Sequence, residues 1–309
     1  MSSFQRDVII NEIYEYARNN SDVFFMSADF GAPALDKFRS NLPDQFIHSG
    51  ISEQHMIDMA AGLALEGNKV YVYAMAPFIT LRCLEQIKCS LAMMNLPVTI
   101  LGVGLGLGYA DAGPTHYLNE DIAIMNSIVN LDISSPSDEN STKFIAKQTM
   151  ELPKLRYVRM EKNDLNEIYP SNYTFNSEGY EKIFSKKDND TCILSYGLMT
   201  HKAIEAKKKL SQENIEVSLY DVINIKPLSD NLIKEINSYK KIITIEEQTL
   251  NGGFGSIIIN GLMKNGISNK KIKCLGLDNK YYFQNGGREF LLNESGLSAE
   301  NILKTVKNL

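Results

Sequence analysis

Short apolar runs recur along this chain, each separated from the next by a segment with helical spacing, and this alternation limits the fold more than any other feature. Residues 4–19 carry apolar side chains at helical intervals, and Val23-Phe24-Phe25-Met26 is a fully apolar strand. Residues 52–66 read as a helix with Met56, Ile57, Met59, Ala60, Leu63 and Ala64 on its inner side, followed by a strand at Val70-Tyr71-Val72-Tyr73. The spacing predicts a helix over 78–94, a buried strand over 98–103, a loop over 104–118, a helix over 120–126 and a strand at Leu131-Asp132-Ile133. Ser135-Pro136-Ser137-Asp138-Glu139 has the capping groups and first-turn acids of a helix start, and a last strand covers 155–160. Residues 161–190 lose this periodicity and read as a linker. The alternation then resumes with strands at 191–196, 217–222, 242–246 and 272–277, and helices between them. The expected fold is α/β, with two domains that are each a mostly parallel sheet flanked by helices. The expected domains are 1–162 and 191–309, joined by a linker over 163–190, and 309 residues suit two such domains.

Composition and charge narrow the function classes. With 44% hydrophobic and 22% charged residues, disordered and low-complexity classes are excluded. The net charge is −5, and neither half has the basic excess needed to neutralise many phosphates, so nucleic acid is not expected as a main partner. Cys83, Cys89, Cys192 and Cys274 form no CxxC pair and read as reduced thiols, not as a disulfide frame or zinc site. Residues 89–110 contain no charge, but Asn95, Pro97 and the glycines at 102, 104, 106 and 108 make them a poor spanning helix. The first residues show no apolar signal core. The expected location is the cytoplasm, with no membrane partner.

In an open parallel sheet, ligands bind beyond the carboxyl ends of the strands. Four segments should gather there: Ser27-Ala28-Asp29-Phe30-Gly31, Gly50-Ile51-Ser52-Glu53-Gln54-His55, Ala74-Met75-Ala76-Pro77-Phe78, and Tyr109-Ala110-Asp111-Ala112-Gly113-Pro114-Thr115-His116. Polar residues at strand exits also cap helices, but acids, a histidine and an aromatic at one edge favour a site. Glu53 stands out, in the first turn of an otherwise apolar helix. It is either an exposed acid favoured by the helix dipole or a carboxyl group kept from water, able to exchange a proton near neutrality. His116 follows a Gly-Pro-Thr turn, and His48 lies just before the Glu53 turn. The GxGxGxG run at 102–108 has no helix directly behind it and is not read as a dinucleotide loop.

Taken together, these segments resemble the transketolase family of thiamine diphosphate enzymes, over most of the chain. The resemblance is carried by Ser27-Ala28-Asp29, Gly50-Ile51-Ser52-Glu53-Gln54-His55, Pro77-Phe78 with Arg82-Cys83 and Glu85-Gln86-Ile87, Gly113-Pro114-Thr115-His116, and Ser135-Pro136-Ser137-Asp138-Glu139-Asn140. Glu53-Gln54-His55 and Ser137-Asp138-Glu139-Asn140 are similar also to deoxyxylulose-phosphate synthase, a relative of like domain order. The resemblance implies a pyrimidine-binding domain of the thiamine diphosphate-binding fold, followed by a transketolase C-terminal domain.

It also implies roles. Glu53 would hydrogen-bond N1′ of the cofactor's aminopyrimidine and promote the imino tautomer that takes the proton from thiazolium C2, with the ring as electron sink. Phe78 would stack on the pyrimidine, with Met75 and Ile51 nearby. His116 would be catalytic and meet the substrate's oxygens, with Asp29, His48, Asp111 and Arg159 as further sugar-phosphate contacts. An arginine at a strand end, such as Arg159, also commonly pairs with a neighbouring acid. No metal ligand is assigned to this chain. The family's diphosphate-binding domain, with its Gly-Asp-Gly segment and Asn ligand, is not found in these 309 residues. The expectation is therefore a split enzyme: another polypeptide carries the diphosphate and Mg²⁺ site, the pair assembles as a heterotetramer, and the reaction moves a two-carbon ketol unit between sugar phosphates. Competing readings are a beta subunit of a 2-oxo-acid dehydrogenase, a deoxyxylulose-phosphate synthase-like enzyme, and a non-catalytic scaffold subunit. Two departures bear on the donor and acceptor: residues 103–108 offer only Gly, Leu and Val, and Met75 stands where the synthases tend to have an aromatic.

Overall fold

The computed structural model describes residues 2–28, 32–185 and 189–309. The chain forms two compact units, one of Met1–Leu105 with Ile124–Tyr173, the other of Gly106–Ala123 with Thr174–Leu309. Each is an α/β unit whose sheet is mostly parallel and flanked by helices.

In the first unit the strands are β1 (Val23–Ser27), β2 (Phe46–His48), β3 (Lys69–Met75), β4 (Val98–Val103), β5 (Asp132–Ser134) and β6 (Arg156–Met160). They run parallel in the order β5-β6-β4-β3-β1-β2. Every residue of β4 is buried, which explains why it reads as a continuous apolar run. The chain leaves β1 for β2 on one side and returns to β3 on the other, so the carboxyl ends of β1 and β3 bracket a switch point in strand order.

The connections at that switch point carry the candidate site. Helix α1 (Gln5–Ala17) precedes β1, and helix α2 (Glu53–Leu65) follows β2. Glu53, Met56, Ile57, Ala60, Ala61 and Ala64 of α2 are buried at helical spacing, so Glu53 heads the apolar stripe that packs inward. The expected helix over 78–94 is broken. Helix α3 covers only Ala76–Ile79, a turn follows at 80–83, and Ile87–Ala92 is wound as a π-helix. At the break, Thr80 Oγ1 donates to the Ala76 carbonyl at 2.6 Å, and Cys83 Sγ to the Phe78 carbonyl at 3.2 Å. Gly102 lets α3 lie close over β4, since a Cβ there would sit 2.8 Å from the Tyr157 ring and 3.1 Å from Ala76 Cβ.

Helix α4 (Glu139–Glu151) starts at a capping box in which the Asp138 carboxylate accepts from the Ser141 amide. The other Asp138 oxygen accepts from the amides of Ile168 and Tyr169, which anchors the segment beyond β6. The stretch expected as a linker is thus partly ordered. Leu165–Asn166 pairs antiparallel with Ser2–Ser3, and β7 (Tyr180–Phe184) is an edge strand of the second sheet. A short edge strand with Glu and Lys in it shows little apolar alternation, which hid it in the sequence.

The second unit adds β8 (Thr191–Ser195), helix α5 (Leu198–Gln212), β9 (Ser218–Val222), helix α6 (Asp230–Ile236), β10 (Lys241–Thr249), helix α7 (Phe254–Lys264) and β11 (Lys271–Leu277). The sheet order is β11-β10-β8-β9-β7, parallel except for β7. Two further helices, α8 (Gly287–Glu294) and α9 (Ala299–Asn308), close the chain. Its core joins strand residues such as Ile193, Leu219 and Ile243 to Leu107, Ala110 and Tyr117 of the loop after β4.

Candidate active site

Glu53 is placed by two local features. Ser52 takes the N-cap position, and the apolar stripe of α2 turns the first-turn carboxyl inward. The residue is only 4% exposed. A buried carboxylate needs a charged or hydrogen-bonding partner, and Arg82 Nη1 supplies one at 2.7 Å on Glu53 Oε2. Arg82 leaves the broken helix at the turn after α3, where its guanidinium carbon lies 4.2 Å from the centroid of the Phe78 ring. Gln54 Nε2 donates to the Arg82 carbonyl at 3.1 Å and ties the start of α2 to that turn. Burial, with the Glu53 carboxylate close by, pushes the Cys83 thiol up to about 12, so it stays protonated at neutral pH.

The other expected residues of this unit stand in different settings. Ile51 is 81% exposed, just ahead of α2. Met75 ends β3 and precedes α3, and both it and Phe78 are half-buried. His48 ends β2, with Nδ1 accepting from the Gly50 amide at 3.0 Å. Arg159, on β6, is 1% exposed and donates to Ser135 Oγ at 3.1 Å; its guanidinium does not face solvent in this chain. Asp29 lies outside the described residues.

Asp111 and His116 belong to the second unit. Asp111 is exposed on a 3-10 turn, Ala110–Ala112. The His116 ring centroid is 6.4 Å from that of Tyr109, and Nδ1 is 2.9 Å from Thr115 Oγ1. The His116 amide donates to the Gly113 carbonyl at 2.9 Å, which fixes the Gly-Pro-Thr turn.

Arg82 is the residue of the first unit to which sequence reasoning gives no role, although it lies in one of the motifs that carry the resemblance. Its signal is weak because an arginine four residues after an aromatic on an expected helix reads as an ordinary same-face neighbour, and its acid partner Glu53 lies 29 residues away in sequence. The group of Glu53, Phe78 and Arg82 suits an aminopyrimidine, which offers a ring nitrogen able to share a proton with a buried carboxyl group and a flat face to an aromatic ring. The planar, N–H-rich Arg82 guanidinium makes that same pair of contacts. Among the described residues, no group of three or more His, Cys, Asp or Glu is placed to hold a metal ion. Nor is any helix among them long and apolar enough to cross a membrane.

Comparison with known proteins gives concordant matches to both halves of the chain. Residues 5–167 match the family described as transketolase, pyrimidine binding domain, and residues 179–302 match transketolase, C-terminal domain. The chain is 30% identical over 307 residues to one subunit of the apulose-4-phosphate transketolase from Phocaeicola vulgatus, covering 97% of this chain and 95% of that protein. It is also 30% identical over 305 residues to 1-deoxy-D-xylulose-5-phosphate synthase from Magnetococcus marinus, where it spans 48% of the longer protein. A solved split-gene transketolase, in an inactive β4 tetramer, superposes with a TM-score of 0.87 at 25% identity, covering 100% of this chain and 98% of that one.

Proposed function

The chain belongs to the transketolase family, and on that premise we propose that it is the C-terminal subunit of a split, thiamine diphosphate-dependent transketolase. The reaction moves a two-carbon ketol unit between sugar phosphates. A second subunit carries the diphosphate and Mg²⁺ site, and the two assemble as a heterotetramer. The reading rests above all on the burial of Glu53 beside Phe78, within a segment that matches the pyrimidine-binding domain. The match along nearly the whole of a relative that is itself one subunit of a transketolase supports the division between two chains.

The chain's own residues then act as follows. Glu53 donates a hydrogen bond from its carboxyl group to N1′ of the aminopyrimidine and shares that proton with it, a role favoured by its exclusion from water. Phe78 offers its ring face, with Met75 and Ile51 as apolar neighbours. His116 and Asp111 bind oxygens of the sugar, and His48 and Asp29 are further substrate contacts, whereas Arg159, buried on β6 and bonded to Ser135, serves the packing of the first unit. Bound thiamine diphosphate supplies the electron sink that the protein lacks.

The test is reconstitution. The chain with its partner should convert xylulose 5-phosphate and an aldose phosphate, and the chain alone should not. Full turnover by the chain alone overturns the split. A second reading, a deoxyxylulose-phosphate synthase-type half, draws on the 30% identity to the Magnetococcus marinus synthase. It predicts that pyruvate with an aldose phosphate is consumed and that xylulose 5-phosphate is not.

A further inference from the structure

The loop that carries Asp111 and His116 is gripped at both ends by one strand end of the second unit. Gly106 and Leu118 close the loop as an isolated antiparallel bridge, with bonds of 3.1 and 3.0 Å. Beside the first end, Glu247 Oε1 accepts from the Leu107 amide at 3.0 Å. Beside the second, Gln248 Nε2 donates to the Leu118 carbonyl at 2.8 Å, and Gln248 Oε1 accepts from the Ile122 amide at 3.4 Å. The Thr249 amide donates to the Asn119 carbonyl at 2.8 Å. Three successive residues at the end of β10 therefore hold both legs of the loop.

Arg288 on α8 completes the arrangement. Its Nε lies 2.9 Å from Glu247 Oε1, and its Nη2 bonds Oε2, a two-pronged pair whose side chains are 9% and 6% exposed. The Leu107 bond and the guanidinium bond meet on one carboxylate oxygen, so the ion pair sets where the loop begins. The backbone comes so close that a Cβ on Gly106, at φ +50°, would lie 2.5 Å from the Glu247 carboxyl carbon. A buried pair of this kind contributes little net stability but fixes geometry, because misplacing either group leaves an uncompensated charge.

We propose that Glu247, Arg288 and Gln248 are positioning residues for substrate, so that the C-terminal domain sets where Asp111 and His116 stand. This rests on the reading of Asp111 and His116 as substrate contacts; the grip on the loop does not. A shift of about 1 Å in such contacts can cost about 100-fold in turnover, which gives the restraint a catalytic consequence.

Hydrogen exchange on the full chain tests the grip directly. In Glu247→Ala and Arg288→Met, amides over 106–118 should exchange about ten-fold faster, with β8 and β9 unchanged, since local opening need not involve the core strands. Glu247→Gln keeps an acceptor for Leu107 and should restore part of the protection. If either charge variant fails to fold, Gln248→Ala leaves the ion pair intact and should loosen 118–123 alone. Wild-type exchange over these segments in all the folded variants overturns the proposal. In the reconstituted complex, the same variants should raise KM for the sugar phosphate about ten-fold, with thiamine diphosphate affinity unchanged. His116→Ala separates the two layers. An unaltered KM in H116A sinks the reading of the loop as a substrate contact. A KM raised in H116A but not in the Glu247, Arg288 or Gln248 variants overturns the positioning role alone.

Discussion

Arg82 and Glu53 form a 2.7 Å ion pair in which the carboxylate is buried and the guanidinium is 42% exposed, lying over the Phe78 ring. The asymmetry matters because the carboxylate, shut away from solvent, depends on the cation to offset its charge, whereas water reaches the guanidinium from outside. The pair thus holds the candidate proton-sharing carboxyl group and the candidate stacking ring in one group, joining two segments 29 residues apart in sequence.

Replacing Arg82 should therefore weaken the isolated chain moderately. Arg82→Met strands the buried Glu53 carboxylate, which must then take up a proton or remain uncompensated, so the expected loss is about 2 kcal/mol in urea unfolding. Arg82→Lys should recover part of it, since it keeps the charge but loses the plane that rests on Phe78.

Glu53→Ala should leave the fold intact, because it removes a buried charge and leaves only a half-exposed arginine behind. In the reconstituted complex it should lower kcat by about 100- to 10,000-fold, the usual worth of a positioned proton-exchanging group. Far-UV circular dichroism and kcat measured on the same preparation check both halves. Retained activity would indicate a scaffold subunit.

Thiol chemistry should be sharply divided. Cys83 is buried, with its titration pushed up to about 12, and Cys192 is buried and raised by the same desolvation. Only the thiolate reacts, so in the folded chain Cys83 should stay unmodified from pH 7 to pH 9, well below its titration. The exposed Cys89 should react first with a disulfide reagent, and all four cysteines should react in urea. Mass mapping of the modified peptides checks the order.

Asp138→Ala should be among the more destabilising substitutions in the first unit. It removes acceptors from the Ser141 amide at 2.8 Å and from the Ile168 and Tyr169 amides at 2.9 Å each, all around a buried carboxylate. Loss of a helix cap plus stranded amides should cost about 3 kcal/mol. Urea midpoints measure the loss, and limited proteolysis should show earlier cleavage over 161–173.

The periodicity of the sequence located nearly all the strands of both sheets, because a parallel strand covered on both faces must be apolar throughout and is easy to see. It located Glu53 as well. The carboxylate sits one helical step ahead of Met56 and Ile57, so the stripe that buries α2 also carries it inward. The edge strand Tyr180–Phe184 and the helices Gly287–Glu294 and Ala299–Asn308 were not legible, since short or weakly alternating segments take their structure from what they pack against.

Tertiary structure alone decided the rest. The pairing of Arg82 with Glu53 joins two segments 29 residues apart and leaves no trace in periodicity. The hold of Glu247 and Gln248 on the 106–118 loop joins residues more than a hundred positions apart. Hydrophobic spacing is a local property and can be read along the chain. A bond between distant polar groups exists only once the cores on which they ride have closed.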